Sequence, residues 1–527
     1  MTRTDAPEYP PEFKPPKPTA ARIAQYGSFL VAAALAVGLV LVGLPVIGGW
    51  WTGCGGELVS QRGECVGVTD LTDLDDDPNS FHFDRSLERV EKLIRNENLR
   101  LEGESAVTVG LLMPMSKGDG SSQSEQQIRA HVEGAYLAQH LANRDENAAP
   151  KIRLVLANEG GTEHAWSSVT SDLIEMKDDE QPLVAVTGMG VSVRETVWGA
   201  RALWGDDPLS GPRIPMIGSV ITADELNKVG GQPPEPNERI PGIPGLSRVS
   251  VSNDTEVTAL ASAPRLQSIR PLIVHDTNAN DFYTAGLRRD FEKHFARQWR
   301  EAENPHEPYD GQGSGVSSRF SAIARTLCGV NPPDTVLYSG RAVLLPGFIE
   351  ELRNDTQCKN PITVVTGSDG STLQDTLKPT IPGQREVRVV YAALADQSVL
   401  QDPNFTSEFT RSFEKDDLNN AWAIMAHDAV KTAITAIRGA TDQSGDLPPI
   451  SDVVDQLGNL NSGMKWVDGA AGRFEIDAKT GDPVGRTVPI MEIGPYSDPS
   501  EPGKLRAEVI HQYRQPNPRC PDEAPQC

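Results

Sequence analysis

Basic residues are scarce in this sequence: 49 Lys and Arg face 73 Asp and Glu, a formal net charge of −24. A surface of that sign repels phosphate backbones and anionic headgroups, so no nucleic-acid partner is expected. The charge otherwise reads as a solvated acidic surface that maintains solubility. Motifs of common catalytic chemistry are missing too, with no P-loop, HExxH or GxSxG anywhere in the chain. Gly188-Met189-Gly190 lacks the third glycine of a dinucleotide fingerprint and follows the third strand-like run instead of the first. His131-Val132-Glu133 has the H-x-E order of a deaminase, but no PCxxC follows it. Only a hydrolase assembled from scattered residues stays open on the enzyme side, and none is expected. Metal motifs fail in the same way. The six cysteines have neither CxxC spacing nor a nearby His, which argues against zinc. Asp73, Asp75, Asp77 and Asp84 fall at places 1, 3, 5 and 12 of a calcium loop, but Pro78 stands where Gly is required at place 6. That run reads as a solvated linker, and neither metal nor cofactor is expected.

One absence is local. From Ile23 to Gly56 there is no charged side chain, and GSFLVAAALAVGLVLVGLPVIGG within that stretch is almost wholly apolar. A bilayer core needs about 20 such residues in a helix, so residues 27–49 are expected to span a membrane. A cleaved signal peptide has an apolar region of only about 7–15 residues. A lipoprotein signal ending at Cys54 is the other alternative, with Trp51 where a small aliphatic residue belongs. Trp50 and Trp51 suit the outer interface. The preceding tail carries Arg3, Lys14, Lys17 and Arg22 against Asp5, Glu8 and Glu12, which favours the cytoplasmic side for the N-terminus. Its prolines (YPPEFKPPKP) leave it without a core, so function is expected outside the cell.

All six cysteines lie beyond that segment, an even number in an exported domain, which suggests disulfides. Six cysteines allow 15 connectivities. The sequential set, Cys54 with Cys65, Cys328 with Cys358 and Cys520 with Cys527, closes the shortest loops and is the expected one.

From Val107 onward, short β-rich runs alternate with amphipathic segments of helical length: VTVGLLM then QIRAHVEGAYLAQHLANR, IRLVLANEG then HAWSSVTSDLIEMK, LVAVTGMG then VRETVWGARALW, and IPMIGS. The alternation restarts at PLIVHDTN and runs through TVLYSG and ITVVTGSDG to VRVVYAAL. Two α/β units with parallel sheets are predicted, with RVSVSND as a crossover between them.

The order of VGLLMPMS, VEGAYLAQHLAN, AVTGMGVS, IPMIGSVITADEL, RVSVSND, IVHDTNANDFYTAGLRRDF, VLYSGR, VVTGSDG and HDAVKTAITAI resembles the type I periplasmic-binding-protein family, and within it the branched-chain amino-acid receptors of ABC transporters. The resemblance covers roughly residues 105–495. CGGELVSQRGECVGVTD is similar to the juxtamembrane part of membrane-anchored relatives in high-GC Gram-positive bacteria. The resemblance implies two Rossmann-like lobes joined by three crossing strands, closing on a small ligand by a hinge motion. The division is then a cytoplasmic tail (1–26), a transmembrane helix (27–49), an extracellular juxtamembrane segment (50–104), lobe 1 (105–252 and 395–445), lobe 2 (253–394 and 446–495) and a C-terminal extension (496–527).

In open α/β sheets ligands sit at the carboxyl ends of strands, which selects loops before residues. In lobe 1 these hold Met115, Ser116, Met189, Gly190, Ser192 and Thr222; in lobe 2, Asp276, Tyr283, Arg341 and Asp369. Ser192 opens a helix, so its hydroxyl has two readings, a helix cap or a group that receives a ligand carboxylate. Asp276 and Asp369 are either turn-forming carboxylates or, as the resemblance implies, partners of a ligand ammonium. The expected function is that of a membrane-tethered extracellular receptor for a small molecule, with a permease or signalling partner in the membrane. The alternative is a two-lobed protein-interaction module with no small ligand.

Overall fold

The computed structural model describes residues 54–517 apart from 75–80, 119, 207–209, 232–238, 301–305, 329–331, 356, 442–445, 462–464 and 500–501. The tail 1–26, the expected span 27–49, Cys520 and Cys527 lie outside the described residues. No helix among the described residues is long and apolar enough to cross a membrane.

The first lobe begins with a hairpin of Val59–Gln61 (β1) and Glu64–Thr69 (β2), turned through Arg62 and Gly63, both at positive φ as a tight two-residue hairpin requires. There follow Ala106–Met113 (β3), Lys151–Asn158 (β4), Leu183–Gly188 (β5), Met216–Gly218 (β6), a small pair formed by Gly230–Gly231 (β7) and Ile240–Pro241 (β8), and Leu246–Arg248 (β9). The sheet runs β1-β2-β4-β3-β5-β6-β9, parallel from β4 to β9, with β1 and β2 antiparallel at its edge. All eight residues of β3 are buried, as befits a strand covered by helices on both faces. The helix Glu125–Asn143 starts at a capping box between Ser124 and Gln127 and packs closely on Trp422–Ala440. Gly134 permits that approach, since a Cβ there would lie 2.0 Å from the Ala423 carbonyl oxygen.

The second lobe contains Pro271–Asp276 (β10), His306–Tyr309 (β11), Thr335–Ser339 (β12), Ile362–Thr366 (β13) and Val387–Ala392 (β14). After a small lobe-1 sheet of Val467–Gly469 (β15), Gly472–Ile476 (β16) and Pro483–Val484 (β17), the chain returns as Thr487–Ser497 (β18) and Leu505–Arg514 (β19). The order is β11-β10-β12-β13-β14-β18-β19, parallel up to β14 and antiparallel beyond. The backbone passes between lobes three times: from β9 into the helix Asn253–Ser262, from β14 toward the helix Pro403–Ser412, and from β17 into β18.

Three expected boundaries need correction. Residues 50–104 are not a separate juxtamembrane segment in their described part. Strands β1 and β2 extend the lobe-1 sheet, and the helix Glu88–Leu99 packs beside Glu125–Asn143. Buried Asn98 ties that helix down by donating to the Leu154 and Asp70 carbonyls. The stretch assigned to lobe 2 from 446 instead packs on lobe 1 as far as β17. The helix Ile450–Asn459 lays Val453 and Leu457 against Trp422–Ala440 and β5. The extension from 496 supplies β19, an edge strand of lobe 2. Alternation of apolar runs tells which segments are strands and helices, but not which sheet a returning segment joins. The disulfides Cys54–Cys65 and Cys328–Cys358 are both formed, with Cα separations of 5.6 and 5.4 Å.

Candidate functional site: the cleft between the lobes

The carboxyl ends of β3, β4, β5 and β6 place four loops on one wall of an interlobe cleft. Asn158, wholly buried at the end of β4, organises the first two. Its carbonyl oxygen accepts from the Met115 and Gly160 amides, and its amide donates to Ser116 Oγ and the Cys65 carbonyl. Ser116 in turn donates to Glu64 of β2 at 2.9 Å, so the lead-in hairpin buttresses this wall. After β4 come Glu159 and Glu163, only 2% and 3% exposed. Glu163 Oε1 accepts the Val191 amide at 3.2 Å. The Glu159 carboxylate has no hydrogen-bond partner among the described residues; burial and the neighbouring Glu163 and Glu195 push its pKa well up. Burial raises Glu163 as well, with Arg341 opposing and Asp281 adding to the rise. The two acids straddle Gly190, where a Cβ would lie 2.8 Å from an Oε1 of each, and Gly190 takes φ +56°.

The lobe-2 wall is built on Arg341, which follows β12. Its guanidinium makes a two-pronged contact with Asp281, Nε to Oδ2 at 2.6 Å and Nη2 to Oδ1 at 2.9 Å. It lies 3.7 Å from Asp369 and 4.7 Å above the Tyr283 ring. Asp281 also caps the helix Phe282–His294 by accepting the Thr284 amide. Asp369 accepts the Ala342 amide, and its own amide donates to Tyr283 Oη. Desolvation raises the Asp369 pKa while Arg341 holds it back. Behind this set, Glu256 accepts the Ser368 amide at 2.8 Å, and burial lifts its pKa to about 8.

The walls meet directly. The Ser192 carbonyl accepts the Phe282 amide at 2.9 Å and the Tyr283 amide at 3.4 Å, Val193 bridges to Asp281, and Arg194 contacts Asn280. Arg289 of lobe 2 pairs with Asp224 and Glu225 of lobe 1 at the hinge side.

Two seven-stranded, largely parallel sheets, three crossings and facing carboxyl-end loops also describe known solute-binding proteins. The chain is similar to a leucine-binding protein from Thermotoga maritima, at TM-score 0.55 and 15% identity over 77% of this chain and 98% of that one. The fold is that of the type I periplasmic binding proteins. The type I fold recurs in ABC-transporter solute-binding proteins from Rhodopseudomonas palustris. One, in complex with 3,4-dihydroxybenzoic acid, matches at TM-score 0.53 and 14% identity over 79% and 99% of the two chains. Another, in complex with p-hydroxybenzoic acid, matches at 0.54 and 13% over 78% and 98%. No family model and no curated protein matches the chain.

Within this type I cleft the nominated residues fall into three groups. Met189, Gly190, Ser192, Thr222, Tyr283, Arg341 and Asp369 lie at or beside the meeting of the walls, and all are buried. Met115 and Ser116 are locked to Asn158 and Glu64. Asp276 makes a turn, accepting the Asn278 and Gly311 amides, which is the bland reading of that residue. Ser192 does not cap the helix that follows it. Its hydroxyl accepts the Thr222 and Ala223 amides at 3.1 and 3.2 Å, and the following helix starts after Val193 without a side-chain cap. Sequence reasoning passed over Glu159, Glu163, Asp281 and Glu256. Glu159 follows a predicted strand, so the carboxyl-end rule could have found it; Asp281 carries only a helix-cap signal. Among the described residues one cluster of metal-ligand side chains occurs, Cys328, Asp355 and Cys358, and its two sulfurs are joined as a disulfide.

Proposed function

We propose that the chain is a membrane-tethered receptor whose two lobes close over a small extracellular solute, for delivery to a permease or report to a signalling partner. The observation that carries this reading is the cleft itself. Residues from both lobes converge on it, and its lobe-1 wall buries a carboxylate, Glu159, that has no hydrogen-bond partner among the described residues. A buried unpaired charge is costly, so such a group awaits either a proton or a partner. One of the similar proteins is named for leucine and two are solute-binding proteins in complex with hydroxybenzoic acids, which supports a binding role. We infer binding without catalysis because Asp281, Arg341 and Asp369 engage one another and leave no activated nucleophile among them. The tether is residues 27–49, with the tail 1–26 in the cytoplasm.

The test is calorimetric and thermal-shift titration of the full-length chain against amino acids, amides, small carboxylates and amines. A solute that raises the melting temperature and contracts the particle in small-angle scattering supports the receptor. An intact N-terminal peptide in the mature membrane-bound protein supports the tether, and a chain beginning at a lipidated Cys54 overturns it.

A second reading has its own observation. The Thr222 and Ala223 amides, well placed for an anionic ligand, are already taken by Ser192 Oγ. A lobe that fills its own donor site suits an interaction module that no longer binds a small molecule. Capture of a membrane partner together with silence toward every solute would favour it.

A further inference from the structure

We propose that the cleft takes a small organic cation, one bearing an ammonium or amidinium group. This rests on the receptor reading above and specifies its ligand. Four carboxylates, Glu159, Glu163, Asp281 and Asp369, are buried around the meeting of the lobes against one buried guanidinium, Arg341. That guanidinium is already engaged by Asp281 and acts on Glu163 only at longer range, leaving the lobe-1 pair without a direct ion-pair partner among the described residues. Glu159 is more than nine-tenths buried, its carboxylate accepts no hydrogen bond from the described residues, and it shares the space beside Gly190 with Glu163. The glycine matters here because any side chain would displace both acids. The amide donors that could receive a carboxylate, those of Thr222 and Ala223, are occupied by Ser192. An anion would therefore meet acids on both walls and find its donors taken, whereas a cation would supply the missing charge. An organic cation fits better than a metal ion, since no three metal-donor side chains converge here among the described residues. A solute with two or more heavy atoms beyond its nitrogen can also touch both lobes, as closure requires.

The groups facing Glu163 are Glu159 and Glu195 on its own wall and Arg341 and Asp281 from the other lobe. Burial disfavours the charged forms of Glu159 and Glu163, so binding of an ammonium is coupled to proton release. Affinity should then rise with pH above the ordinary Glu range for as long as the amine stays charged.

The experiment titrates the full-length chain with putrescine, agmatine, ethanolamine and tetramethylammonium, and with leucine, 4-hydroxybenzoate and calcium as counter-probes. The expected result is binding of at least one organic cation, tighter at pH 8 than at pH 6. Its heat should differ between phosphate and Tris buffers because a proton is released. Glu159→Gln and Glu163→Gln should each weaken binding at least tenfold. Both keep the shape of the neutral acid, so folding should survive, and circular dichroism verifies it. Binding of leucine, hydroxybenzoate or calcium with the organic cations inert overturns the cation assignment and leaves a receptor. Equal affinity in both Gln variants overturns the site. Silence toward every probe overturns the receptor reading together with its ligand.

Discussion

Replacing Arg341 with Met isolates the charge balance of the cleft. Met keeps much of the apolar stem, so the change removes the guanidinium from a side chain only 8% exposed, together with two short contacts to Asp281 and a longer one to Asp369. Removing one partner of a buried pair costs about 3–5 kcal/mol, because the other charge stays behind uncompensated. Here two carboxylates stay behind, and the stacking on Tyr283 is lost as well, worth about 0.5–2 kcal/mol. A total loss of roughly 3.5–7 kcal/mol at pH 7 is expected, measured by reversible urea unfolding with the disulfides intact. Asp281→Asn should be costly for the mirror reason. The double variant should cost less than the sum by about 2 kcal/mol or more, since only Asp369 is then stranded. The pH dependence has a definite sign. Desolvation already raises the Asp369 pKa above its ordinary value, with Arg341 pulling it down. Without Arg341 the folded state takes up that proton at higher pH than the unfolded chain, so the deficit should shrink on going from pH 7 to pH 5. A deficit below about 1 kcal/mol, or one unchanged by pH, would refute the argument that Arg341 neutralises this wall.

Glu256→Gln should flatten the pH dependence of stability. The folded carboxyl, raised to about 8, binds a proton that the unfolded one releases near 4.5, so stability falls as pH rises between those values; the variant should gain on the order of a few kcal/mol over the parent at pH 9 in chemical unfolding. Gly190→Ala should destabilise by about 1–3 kcal/mol from backbone strain at φ +56°, more if Glu159 and Glu163 cannot move aside, as read by thermal melts. Replacing Cys328 and Cys358 by Ser opens a loop spanning 30 residues and should cost about 3–4 kcal/mol by the loop-entropy model, read by chemical unfolding under oxidising conditions that keep Cys54–Cys65 intact.

The strand and helix order was legible because parallel strands covered on both faces must be apolar along their whole length. The run AVTVGLLM is buried at all eight positions and could hardly be read otherwise. What was not legible depended on contacts between distant segments. The six residues ECVGVT give β2 no stronger signal than many edge strands, and its place is settled by β4, by Asn158 bonding the Cys65 carbonyl, and by Glu64 reaching Ser116. The helix Ile450–Asn459 has a clear apolar stripe, but a stripe says only that something will cover it.

The candidate site divides along the same line. A rule about strand ends brought Ser192, Thr222, Tyr283, Arg341 and Asp369 into view, because backbone topology alone carries those positions to one face. It could not say that Ser192 would satisfy Thr222, or that Arg341 would be claimed by Asp281, since those pairings join residues 30 and 60 positions apart. Charge was the least legible quantity of all. A net charge of −24 looks the same whether carboxylates lie in water or under a closed lobe, yet the two cases have opposite consequences. Solvated acids keep the protein soluble, whereas under the proposed receptor function Glu159 and Glu163 make closure conditional on a proton or a counter-ion. A ligand shifts a two-lobed protein only by the difference between its affinities for the closed and open forms. Acids that are hydrated when the lobes part and stranded when they meet supply such a difference to a cation and withhold it from an anion.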